Sequence, residues 1–331
     1  DNTCSLVWGQ NGGALKTHPA APIALQFQPC FRQYRGMQNK NPMSDRAPDA
    51  RTSLKQPLPL LVNVSQSFGA VFLFRILSTG LSFLAIALVG RSLGAAGLGD
   101  LTMARVLMLT LAGLLGPALD TAAVRFATRH PKQAADYLRA ILAVKTSVTV
   151  LFLVLGVVLS AWLGRVLFPG ASARFDVYVL VFAAFAGSGG FLLFEYVRVC
   201  HQAHQRFVTF GALDFYHALV RLIVIGALLA VGMRSPLPLF LTYAALPYVL
   251  FVVTLRSVPG YAGMTRASLS AHLREMVPFV RWVIFACALT SAANGADMLL
   301  LGWLGVGEIP RGDYSAARAL SQIGDLVVLS L

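Results

Sequence analysis

Charge is scarce in this chain. Asp, Glu, Lys and Arg make up 12% of its 331 residues, about half the share that a soluble domain carries. Cysteine is scarcer: Cys4, Cys30, Cys200 and Cys287 stand far apart with no CxxC pair, which excludes a disulfide framework and a zinc site. Cys200 and Cys287 read as small apolar packing residues. Cys200, His201 and His204 lie at one predicted helix end without a carboxylate beside them, and so make no metal set. No paired carboxylates and no nucleophile–base set are recognisable, which argues against an enzyme. The glycine-rich GRSLGAAGLGD at 90–100 lacks both a preceding strand and the Lys-Ser/Thr pair of a phosphate loop. The RGD at 311–313 and the NVS at 63–65 are short enough to arise by chance. A net charge of +13 raises nucleic acid as a partner, but a basic stripe interleaved with aromatics is missing, and that partner is excluded.

What the chain has is apolar length. Hydrophobic residues make up 56% of it, and mean hydropathy is +0.68. From residue 67 onward, apolar runs of about 20 residues recur, each long enough to cross a bilayer core of about 30 Å. The expected fold is therefore all-α, a polytopic transmembrane bundle. Periodicity and breakers predict eight spans, at 67–89, 101–118, 140–163, 177–199, 208–232, 237–255, 277–301 and 313–331. Pro169-Gly170, Pro236, Pro238 and Pro259-Gly260 fall between spans, where turns are needed.

Basic residues sit mainly between the runs. Arg125, Arg129, Lys132, Arg139, Arg198, Arg206, Arg256, Arg266 and Arg274 follow even spans; only Arg91, Arg165, Arg174, Arg234 and Arg311 follow odd ones. With a basic N-terminal tail, this bias predicts a cytoplasmic N-terminus and contact with anionic phospholipids. The 119–139 connection alternates apolar and basic residues and is expected to lie along the inner interface. No connection is long enough to fold as an extramembrane domain. Residues 1–58 are polar and aperiodic, and are expected to be disordered. Met43 begins a short basic tail, MSDRAPDARTSLKQ, and marks a plausible start, with 1–42 as upstream translation or an extension. The chain stops in SQIGDLVVLSL, inside an apolar helix, and is read as C-terminally truncated.

The glycine-rich stretch has an echo. GDLTMARVL at 99–107 aligns with GDYSAARAL at 312–320, with Gly, Asp, Ala, Arg and Leu identical. The first copy joins spans one and two, the second joins spans seven and eight. An even offset of spans gives both copies the same orientation, which predicts a parallel repeat of six-helix lobes. On this reading 59–260 is an N-terminal lobe and 261–331 the start of a second. The glycines make a tight turn, and Asp100 and Asp313 cap the helices that follow.

VGRSLGAAGLGD at the end of span one, NGADMLLLGWLG in span seven, GDYSAARAL after it and FEYVRVCHQAHQRF after span four resemble the polysaccharide-export branch of the multidrug/oligosaccharidyl-lipid/polysaccharide flippase superfamily. The resemblance covers about residues 66–331. It implies two lobes around a cavity that opens to either side in turn, set in the bacterial inner membrane. It also implies a lipid-linked oligosaccharide as cargo, other polysaccharide-assembly proteins as partners, and room for a coupling cation, H+ or Na+, with no other cofactor. The chain departs from the family in supplying one lobe and two further helices.

Transport chemistry should appear as ionisable residues inside spans, each costing roughly 2.5–3.5 kcal/mol at the bilayer centre. The candidates are Arg75 in span one, Asp214, His217 and Arg221 in span five, Arg281 and Asp297 in span seven, and Arg105 and Arg318 about one turn inside spans two and eight. Arg75 either faces a cavity or bridges helices. Asp214, His217 and Arg221 share one helical face, as a cavity-lining strip or a network between helices. Asp297 either pairs with an Arg or binds a coupling cation. Arg105 and Arg318 either touch cargo or snorkel as anchors. An Arg-rich cavity suits a lipid diphosphate-linked sugar. A cation-coupled drug exporter of the same superfamily is the alternative transporter. A membrane-embedded glycan polymerase or ligase, which would need a long outer loop, and an inactive fragment stand as readings of other classes.

Overall fold

The computed structural model describes the backbone of residues 57–168, 175–258 and 266–330, and side chains at 69–168, 176–258 and 270–321. Almost all of the 1–58 segment, with the Met43 start, lies outside the described residues. Among those described are helices α1 (Pro57–Arg129), α2 (Ala134–Leu167), α3 (Phe175–Ala203), α4 (Phe207–Ala230), α5 (Pro236–Leu255), α6 (Arg266–Trp303) and α7 (Glu308–Ser330), with a 3-10 turn at Pro131–Gln133 and no strand. Six stretches, Gly69–Arg129, Pro131–Leu167, Asp176–Ala203, Phe207–Ala230, Pro236–Leu255 and Ser270–Trp303, are long and apolar enough to cross a membrane.

α1 holds two of the expected spans. Straight, its 73 residues would reach about 110 Å at 1.5 Å per residue, more than three bilayer cores. Gly94 breaks it, with φ 69° and ψ −176°, a conformation that costs glycine little and other residues much. The neighbours show that the chain doubles back there. Arm 57–93 runs alongside α4 in the same direction, with Gly211 against Val71, Phe215 against Phe74 and Arg221 against Ser82. Arm 95–129 runs with α3, where Ser188 bonds Met108 and Leu192 lies over Gly116. α3 and α4 are antiparallel, since Arg198 meets Asp214 and Phe194 meets His217. The two arms are therefore antiparallel, as the first two predicted spans required.

Two local expectations are corrected. Asp100 and Asp313 do not cap helices: helix resumes directly after Gly94, and α7 starts at Glu308, so the free amides lie a turn or more before each carboxylate. The 119–139 segment is not a connection lying on the interface. α1 stays helical to Arg129 even though it contains Pro117. Only Pro131, which lacks an N–H and crowds the preceding turn, ends it, and α2 begins at Ala134.

The bundle has two apolar centres, one at each end. Toward Gly94, Val89, Leu101, Met103, Val181 and Phe240 are buried together. Toward His130, Phe126, Tyr137, Ile141, Tyr196 and Met276 are. α3 is the central helix, and small residues let its neighbours close in. A Cβ on Gly187 would come within 2.9 Å of the Ala244 Cα on α5. Val157, Val158, Trp162, Trp282, Phe285 and Leu289 project outward, the apolar exterior that a lipid solvent requires.

Candidate functional site

Among the described residues, polar clusters interrupt this apolar bundle, and four of them hold the charges within or between its spans. The largest lies in its His130 half and was not read from the sequence. Lys145 of α2 has no exposed surface; its Nζ donates to Asp120 of α1 and to the Leu192 carbonyl of α3, 3.1 Å away. Nearly two turns along α3 from Leu192, Arg198 donates to Glu195 and, across the helix interface, to Asp214 of α4. Its guanidinium lies over the Phe210 ring, 4.6 Å from the centroid. Arg75, exposed on the first arm, adds its charge to the surroundings of Asp214. Each carboxylate here has a cation close by, the arrangement that offsets the cost of taking charge out of water. Lys145 and Glu195 were legible as charges within predicted spans three and four; that Lys145 meets Asp120 of α1, and that Arg198 beside Glu195 reaches Asp214 of α4, was not.

The second cluster lies further toward Gly94 and is built differently. Arg221 is 7% exposed; its Nη2 donates to the Ser82 hydroxyl, and its Nε has no partner. Tyr243 of α5 lies beneath two guanidiniums at once, Arg221 at 5.0 Å and Arg105 at 5.6 Å from its ring centroid. Neither arginine makes an ion pair among the described residues. Cation–π contact stabilises each by about 0.5–2 kcal/mol, but neutralises neither. Four elements meet here: both arms of α1, α4 and α5.

The face that carries Asp214, His217 and Arg221 thus forms no network of its own. Asp214 reaches α3, His217 packs on Phe194 of α3 with centroids 5.0 Å apart, and Arg221 reaches the first arm and α5.

Asp297 belongs to a third cluster. It accepts from Tyr314 at 2.6 Å, Arg318 at 2.7 Å and the Met298 amide at 2.8 Å. Arg318 also donates to the Asn294 carbonyl. The structure therefore pairs Arg318 with Asp297. Arg281 is exposed on α6 beside Trp282 and joins none of these groups.

The fourth cluster lies at the Gly94 end. Arg311 is only 2% exposed; it pairs with Asp100 at 3.5 Å and donates to the Leu167 carbonyl at 3.0 Å.

An apolar exterior, helices of bilayer length and buried charges arranged between them define a multi-pass helical membrane protein. Comparison with protein-family models, curated proteins and solved structures finds no match.

Proposed function

We propose that this chain carries a lipid diphosphate-linked oligosaccharide across the bacterial inner membrane by alternating access, with its N-terminus in the cytoplasm and no covalent chemistry. The observation that carries the proposal is the Arg105–Tyr243–Arg221 cluster: two guanidiniums inside the bundle without a carboxylate between them. An uncompensated cation within a membrane is costly and is by default a functional site. A phosphate oxygen would satisfy the open Nε of Arg221, and guanidinium forks match phosphate geometry better than ammonium groups do. Ser82 and Tyr243 hold Arg221 in place, and His217 lies one turn along the same helix. Arg75 stands nearer the His130 end, where a headgroup entering from the cytoplasmic leaflet would first meet it. A drug exporter that selects cationic cargo would offer free carboxylates, whereas Asp120, Asp214, Glu195 and Asp297 are all paired here.

The test is complementation of a flippase-deficient strain, joined to binding of a short-chain polyprenyl diphosphate sugar to the purified protein. Arg221→Ala is expected to weaken binding roughly 10- to 100-fold, the equivalent of losing a charge-assisted hydrogen bond of about 1.5–3 kcal/mol. Arg105→Ala should act in the same direction and Arg75→Ala should slow export. Undiminished binding and surface polysaccharide in Arg105→Ala and Arg221→Ala would refute the proposal.

A further inference from the structure

The two copies of the repeated Gly-Asp segment touch each other. Gly99 opens the first copy and Gly312 the second. A Cβ on Gly99 would stand 2.7 Å from the Glu308 carbonyl and 3.0 Å from the Gly312 amide nitrogen, and one on Gly312 would collide with the Ala95 backbone. Backbone meets backbone at this joint, which only glycine permits on both sides. Beside it, Arg311 makes three contacts through one guanidinium. It pairs with Asp100 just after the α1 turn, donates to Leu167 at the end of α2, and lies over the Phe168 ring at 5.5 Å. Ser315 is buried behind it and donates to the Arg311 carbonyl at 2.7 Å.

The joint stands between the candidate site and the Gly94 end of the bundle. Asp100 and Arg105 are five residues apart on one helix, about 7.5 Å along its axis. Its chemistry differs from that of the other charge clusters. Lys145 lies well inside α2, where separating it from Asp120 would strand charge in hydrocarbon. Asp100 lies six residues past the Gly94 turn and Arg311 three past the start of α7, near enough to the bundle end for both charges to be hydrated once apart, so opening the pair costs less than opening one deep in hydrocarbon. Arg311 also keeps an unpartnered Nε, and the ion pair is the longest at 3.5 Å of those that join α7 to its neighbours.

We propose that this joint is a latch. Shut, it seals the Gly94 end of the path to Arg105 and Arg221; open, α7 and its glycine turn move away from the α1 hairpin. The path is that of the transport reading, but the joint can be tested without any cargo.

The experiment places a reporter, Ser315→Cys, in a variant lacking the four native cysteines, and follows its reaction with a membrane-impermeant maleimide in cells and in inverted vesicles. The parent should react slowly from either side. Gly312→Ala and Asp100→Asn should each speed the reaction about tenfold or more from the Gly94 side only, as expected when an equilibrium is shifted toward an open state. The exchanged pair Asp100→Arg with Arg311→Asp should return it toward the parent rate, which general unfolding would not do. Asp100→Asn keeps the test decisive if Gly312→Ala does not assemble. Rates unchanged in a monodisperse Asp100→Asn protein would overturn the latch, as would equal acceleration from both sides. Undiminished binding and surface polysaccharide in Arg105→Ala and Arg221→Ala would remove the transport reading and leave these rates as they are.

Discussion

Lys145 sets the terms at the scale of single residues. A lysine with no exposed surface is tolerable only because Asp120 and the Leu192 carbonyl surround its ammonium. Removing one member of such a pair leaves the other buried and uncompensated, which costs about 3–5 kcal/mol. Lys145→Met is therefore expected to lower the thermal unfolding midpoint in detergent markedly. Adding Asp120→Leu should recover most of the loss, because two apolar residues need no partner. A single variant that melts like the parent would sink this account. Arg221 makes a contrasting case. Arg221→Lys keeps the charge but gives up the planar contact with Tyr243 and the fork toward Ser82. It should bind diphosphate lipid nearly as poorly as Arg221→Ala while folding normally, and parity with the parent would contradict the fork argument.

Among the elements, α1 and α3 carry the architecture. One residue makes two spans out of α1. Gly94→Ala places a Cβ at positive φ with extended ψ, a region open essentially to glycine alone, at a cost of roughly 1–3 kcal/mol, and should reduce the yield of folded protein. A deletion that moves the glycine would do worse, since register between the arms would shift. The α3–α5 seam depends on close approach at Gly187. Gly187→Val would overpack it, costing about 1–3 kcal/mol, readable as a lower melting temperature; an unchanged one would mean that α5 can withdraw freely. The spans themselves were legible because about 20 apolar residues in a row have one common use. The end of α1 was not, because basic residues at helical spacing suit an interfacial segment and a continuing helix equally well. Only Pro131 marked the stop.

For the whole molecule, polar and cation–π contacts tie the start of α7 and the start of α6 to the earlier helices, at opposite ends of the bundle. At the Gly94 end this is Arg311 with Asp100. At the His130 end Tyr137 donates to Glu275 of α6, His130 stands 3.7 Å from the same carboxylate, and the Arg125 guanidinium lies 4.2 Å from the Phe279 ring centroid. Movement of α6 away from the His130 end must break these contacts. Tyr137→Phe is expected to raise labelling of a cysteine reporter near Phe279 from that side, without raising it at Ser315. The basic connections after even spans predict that the His130 end is cytoplasmic; a phosphatase or fluorescent reporter fused after Arg129 and one after Val231 should report opposite sides, and equal signals would exclude the topology.

Composition and span length by themselves determined that this is a multi-pass helical membrane protein, because only helices satisfy their backbones in hydrocarbon segment by segment. Spacing also placed Asp214, His217 and Arg221 on one face, since a helix period is a local property. Which charges meet was decided by tertiary structure. Asp214 found Arg198, Asp297 found Arg318, Asp100 found Arg311, and Arg105 and Arg221 were left together over Tyr243. Helix packing brings together residues far apart in the chain, and no local pattern records their partners. The repeated Gly-Asp segment was legible as an echo; that its two copies press backbone against backbone emerged only when α7 folded back onto the α1 turn.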